Sequence, residues 1–112
     1  MDISTKYNIG HTYWVPRVYK KTEKQELMWE GETWYKEMDV LEPFARLKRI
    51  VCMEIRVGRK IVIMYGVKNV GDNEKEELTQ YHQEENINDY TEEQALAIAR
   101  EHAKAGNTYY GN

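Results

Sequence analysis

Seven basic side chains (Arg46, Lys48, Arg49, Arg56, Arg59, Lys60 and Lys68) fall between positions 46 and 68 against one acid, Glu54, while the run from Asp72 to Glu93 holds nine acids and only Lys75. Guanidinium groups gathered around a small hollow can grip phosphate oxygens through paired hydrogen bonds, and aromatic rings beside them can stack a base. The same separation of charge also suits two strips that meet across a symmetric contact and set its register. Both readings stay open on composition. Catalytic templates find no match. The chain has no GxGxxG, GxxxxGK[ST] or HExxH pattern, and His11, His82 and His102 are too scattered for ligand spacing. Cys52 sits in an apolar alternating stretch and reads as a structural thiol. No metal site and no cofactor are expected.

These residues need a scaffold. At 112 residues the chain is expected to form a single domain spanning 1–112. A net charge of -3 argues against binding nucleic-acid polymers, which needs a basic surface. No apolar run has membrane-spanning length, the start "MDISTKYNIG" has no secretory pattern, and one cysteine forms no internal disulfide, so a cytoplasmic protein without a membrane partner is expected.

Alternation in "YNIGHTYWVPRVYKK" places Tyr13, Val15, Arg17 and Tyr19 on one side of a strand and Trp14, Pro16 and Val18 on the other. "TEKQE" reads as a polar connection. "ELMWEGETWYKEM" reads as a pair of short strands or one strand with a bulge at Gly31, ended by Pro43. The clearest signal is a β-hairpin in which Val51, Met53, Ile55 and Val57 are answered, across a tip near Gly58, by Ile61, Ile63, Tyr65 and Val67. Gly66 marks a bulge or a close backbone approach, and "ELTQYHQ" adds a short strand.

The last element is a helix. Thr91 and Gln94 form a capping box, Glu92 and Glu93 suit its positive end, and Gly106 is expected to stop it. Ala95, Ile98, Ala99, His102 and Ala103 form its packed stripe, with Arg100 on the rim. The fold class is therefore α+β: a twisted antiparallel β-sheet of about five strands, open or curled towards a barrel, followed by a C-terminal helix.

The opening "YNIGHTYWVP", the long central hairpin and the closing "EENINDYTEEQALAIAREHA" together resemble a group of small phage and Firmicutes proteins. Within that group the chain is similar to the phage Thoeris anti-defence proteins of the first type, which sequester cyclic ADP-ribose-like immune signals without cleaving them. The resemblance implies a non-enzymatic sponge for a small phosphorylated nucleotide signal, acting in the host cell cytoplasm. It implies a homo-oligomer, a dimer or a dimer-based hexamer, with pockets at protomer contacts. Arg17, just after "YWVP", and Arg100, in "AIAREHA", match the positions that hold phosphates. Tyr81, His82 and Asn86, just before the helix, are the candidates for the remaining ligand contacts by position alone. The alternative is a protein-interaction or assembly module that uses an aromatic sheet surface.

Overall fold

The computed structural model of the protein describes residues 3–111, and the side chains of residues 3–106. Four strands form one antiparallel sheet in the order β1-β2-β3-β4, with β1 at Thr12–Trp29, β2 at Glu32–Val57, β3 at Ile61–Asn69 and β4 at Gln80–Gln83. A short 3-10 turn at Glu84–Asn86 leads into helix α1, Glu92–Gly111. The architecture is α+β, and the sheet is open rather than closed into a barrel.

β1 and β2 pair without a slip from Thr12 opposite Arg49 to Trp29 opposite Glu32. Two expected interruptions are absent. Pro43 does not end β2, and the alternation of the ladder explains why. The Trp14 N–H donates to the Tyr90 carbonyl, 3.1 Å away, so every second residue of β1 turns its nitrogen away from β2. Pro16 has the same parity and costs the ladder no bond. Pro43 stands opposite Val18, also of that parity, and its nitrogen faces the far edge of β2, where β3 pairing extends only to Lys48. The stretch read as a polar connection continues β1 because it is held by polar cross-strand pairs instead of an apolar face. Thr22 donates to Asp39 (3.1 Å), Lys20 reaches the same carboxylate (3.1 Å) and Lys21 reaches Glu42 (3.2 Å).

The ribbon closes on Glu30 and Gly31, whose φ angles of 50° and 79° match a two-residue type I′ turn. Every residue from Arg17 to Glu37 is exposed. The molecule therefore measures 77 × 29 × 25 Å, with a radius of gyration of 20.2 Å. A compact chain of this length would have about 13 Å.

The core lies at the other end. Tyr7, Tyr13, Ile50, Tyr65, Val67 and Ile87 are buried together. Tyr7 packs edge-on to Tyr65 with ring centres 5.6 Å apart, its N–H donates to the Tyr65 hydroxyl (3.2 Å), and its own hydroxyl donates to the Ile87 carbonyl (3.3 Å). The Tyr65 hydroxyl donates to Glu84 at 2.6 Å. These bonds fix the segment after β4 across the sheet.

The hairpin, the fourth strand and the capping box follow their sequence patterns. Thr91 N–H donates to Gln94 Oε1 (2.9 Å) and Gln94 N–H to Thr91 Oγ1 (3.2 Å). Ala95, Ala99 and Ala103 are buried against the sheet, whereas His102 is exposed. Gly106 does not stop the helix, which runs on to Gly111. Its lack of a side chain serves packing instead, since a β-carbon there would lie 2.3 Å from Leu41 Cδ1.

Gly66 combines both expected roles. The β2–β3 register jumps between Ile50 and Cys52 beside it, and a β-carbon would lie 2.3 Å from Cys52 Sγ and 2.8 Å from Thr79 Cγ2. Overpacking of this kind costs about 1–3 kcal/mol. Gly66→Ala is accordingly expected to lower the denaturant midpoint by that amount of stability, while Gly58→Ala, with open space around it, stays within about 0.5 kcal/mol of wild type.

Candidate functional site

Strand alternation sets the site. Tyr13, Val15 and Arg17 share one face of β1, and Lys48 stands directly opposite Tyr13 on β2. β4 brings His82 opposite Tyr65, the 3-10 turn brings Asn86, and the second and third turns of α1 bring Ile98 and His102. Together with Asn88 and Tyr90 these residues line a cavity of about 350 Å³. That lies near the lower end of the range of about 300–1,000 Å³ common for small-ligand pockets.

The lining contains a lysine, an arginine and two histidines and no carboxylate. Lys48 is only 5 % exposed, and among the described residues it has no ion-pair partner. Burial lowers its pKa, Arg17 pushes the same way, and Glu77 pulls against them more strongly than Arg46 adds. Arg17 donates to the Pro16 carbonyl at 3.2 Å and pairs with no carboxylate among the described residues. His82 is held below the ordinary imidazole value, first by burial and then by Lys48 and Arg17. An ammonium drawn largely out of water, with no carboxylate in direct contact, is unfavourable on its own and becomes more favourable when an anion enters. The cavity's electrostatics thus fit an anionic guest, whose oxygens could accept from Arg17, Lys48, the Asn86 and Asn88 amides and a ring nitrogen of His82.

Contrast sharpens the assignment. Around Lys6, Tyr7 and His11 lies a second concavity of about 510 Å³, but its His11 Nε2 is already 2.8 Å from Asp89 Oδ1, so a local carboxylate answers that imidazole.

Of the residues singled out in the sequence, Arg17, His82 and Asn86 meet at the cavity. Arg100 and Tyr81 do not line it. Arg100 is exposed, and at about 100° per residue it projects roughly opposite to Ile98 and His102 on α1. A pair of arginines sharing one hollow is therefore not formed within the chain. Tyr81 alternates with His82 to the other face of β4, where Cys52 Sγ lies 3.8 Å from its hydroxyl. Lys48 and His102 were not among the candidates. Lys48 was detectable as a cation two residues from Ile50, on the face that feeds the core.

Among the described residues no group of three or more His, Cys, Asp or Glu is arranged to hold a metal ion, and no helix is long and apolar enough to cross a membrane. The chain matches no protein-family model, and comparison with curated proteins and with solved structures returns no match.

Because the folded pKa of His82 lies below its unfolded value near 6.5, the unfolded chain binds more protons in the interval between them, and stability rises with pH there. In anion-free buffer, stability is expected to be fully present above pH 6.5 and to fall as pH drops from 6.5 through the lowered value. Urea unfolding of His82→Gln across that interval should show a smaller slope than wild type. An unchanged slope would remove His82 as the source.

Proposed function

We propose that this chain binds a small phosphorylated nucleotide without cleaving it, and that it acts as a phage anti-defence sponge for a cyclic ADP-ribose-type or cyclic nucleotide immune signal in the host cytoplasm. One observation supports the reading most: Lys48, buried and without an ion-pair partner among the described residues, lines with Arg17 a cavity that has no acid in its walls. A phosphate supplies the missing counter-charge. The Tyr13 and Tyr90 rings in the same walls offer apolar surface to a base or ribose.

Sequestration requires affinity and nothing more. Holding a signal at nanomolar concentration takes about 12 kcal/mol. A single exposed ion pair contributes about 1 kcal/mol or less. Charge-assisted hydrogen bonds from partly desolvated cations are about twice as strong as neutral ones, and base stacking adds about 1–3 kcal/mol per base. Support for a protein-contact role comes from another part of the molecule, the exposed aromatic ribbon, and does not compete for this cavity.

Calorimetry with cyclic ADP-ribose isomers, cyclic dinucleotides and inorganic pyrophosphate tests the reading. Wild type is expected to bind at least one of the nucleotides and to release it intact after heat denaturation. Altered products would indicate catalysis, and no heat with any of them would reject the proposal. Lys48→Met and Arg17→Ala are each expected to weaken binding at least tenfold, or about 1.4 kcal/mol. Lys48→Met should at the same time raise the stability of the ligand-free protein, because it replaces a buried charge with an apolar chain of similar length. Arg100→Ala should leave affinity unchanged. A tenfold loss there would return Arg100 to the site from a neighbouring subunit.

A further inference from the structure

The two ends of the molecule carry matching surfaces that cannot meet within one chain. At the ribbon tip Leu27 stands opposite Trp34 and Trp29 opposite Glu32, so alternation gathers Leu27, Trp29 and Trp34 on one face. Trp29 is 70 % exposed and Trp34 56 %. Glu26, Glu30 and Glu32 surround them, and the nearest cations are Lys24 and Lys36, the latter opposite Gln25 on the tryptophan face but on the side away from the turn. At the opposite end the β2–β3 hairpin places Ile55 opposite Ile63 and Val57 opposite Ile61, an apolar strip that ends on the exposed cations Arg59 and Lys60. Beside the strip lies a concavity of about 290 Å³ lined by Lys60, Ile61 and Ile63 together with Gln83, Glu84 and Glu85. Glu84 already accepts from Tyr65 and from the Lys6 N–H. Among the described residues, Glu30, Glu32, Arg59 and Lys60 have no ion-pair partner.

β2 runs through both surfaces. At a rise of about 3.3 Å per residue, Glu32 and Val57 are roughly 80 Å apart, in keeping with a longest dimension of 77 Å. The tip therefore cannot fold back onto its own hairpin. An acidic aromatic surface and a basic aliphatic one, both on the same chain and both unsatisfied, identify the occupant as another copy.

We propose that the ribbon tip docks on the β2–β3 hairpin of a second copy, with the two chains antiparallel so that the contact is made twice about a two-fold axis. Trp29 and Trp34 cover Ile55, Val57 and Ile61, and Glu30 and Glu32 meet Arg59 and Lys60. Large aromatic side chains at the centre with charges at the rim are the usual anatomy of a stable contact. Two-fold repetition closes the assembly at two copies, whereas a single head-to-tail contact would propagate.

Sedimentation velocity across a micromolar to hundred-micromolar series tests this. Wild type is expected to reach the mass of a dimer and stop there. The double variant Trp29→Ala/Trp34→Ala should raise the dissociation constant at least tenfold. Glu30→Lys/Glu32→Lys and Arg59→Glu/Lys60→Glu should each sediment as monomers alone and form dimers when mixed, because the mixture restores opposite charges at both contacts. All these positions are exposed, so circular dichroism should match wild type, and so should unfolding midpoints at concentrations low enough for wild type to be monomeric. A wild type that stays monomeric throughout, a mass that keeps growing with concentration, or charge variants that dimerise alone and gain nothing on mixing would each overturn the proposal.

Discussion

The unbroken register between β1 and β2 is the constraint from which the rest follows. Along the whole of β1 no residue is inserted in either strand, so the side-chain alternation set at Tyr13 opposite Lys48 carries through to Trp29 opposite Glu32. A one-residue slip would put Arg17 and Lys48 on opposite faces and part Leu27 and Trp29 from Trp34 at the ribbon tip. The prolines are compatible with this register because each falls where its nitrogen points out of the ladder. β3 and β4 extend the sheet on the far side of β2, and α1 packs through Ala95, Ala99 and Ala103 with Gly106 close against Leu41. Small residues at these positions let the helix approach closely enough for Ile98 and His102 to complete the cavity wall.

Lys48 marks where folding and binding pull in different directions. A methionine in its place would suit the surrounding burial better. The protein instead keeps an ammonium there beside Arg17, and the two charges also hold His82 towards its neutral form. A buried cation repelled by an exposed neighbour stores an unfavourable interaction that an anion relieves on arrival. This gives the cavity a preference for charge that shape alone would not. The ribbon shows an analogous tension at a larger scale, since tryptophans exposed at the end of a two-stranded arm add little to the stability of an isolated chain.

Much of the scaffold was legible in the sequence. Met53 to Val67 alternates as expected because one face of that hairpin packs on the core near its base, where the bulge puts Ile50 rather than Val51 inside, and the Thr91–Gln94 box is a local signal that tertiary structure does not override. Gly66 reported a crowded backbone for the same reason. The ribbon was not legible, because a two-stranded arm solvated on both faces leaves no period-two apolar pattern, and its Lys, Glu and Thr residues look like a loop until their cross-strand partners Asp39 and Glu42 are known. Gly106 was misread because a helix-stop glycine and a close-packing glycine are identical in sequence. Arg17 stood out as a cation among aromatics. Lys48 needed the β1–β2 register, which joins it to Tyr13 across 35 residues of chain that carry no hint of the pairing. Arg100 was singled out through the family resemblance and its place on the rim of the helix stripe, and the helical rotation that brings His102 to the cavity takes Arg100 away from it.

The claim on which the functional reading stands is that an anion enters the cavity between Lys48 and Arg17. Nuclear magnetic resonance titration of the isotopically labelled protein with pyrophosphate, following backbone amides and the His82 and His102 rings, observes that event directly. The expected result is saturable shifts centred on Tyr13, Arg17, Lys48, His82 and Asn86, with an upward movement of the His82 pKa and no change around Arg100. Shifts confined to the exposed ribbon or to Arg56, Arg59 and Lys60, with His82 titrating as before, would contradict it.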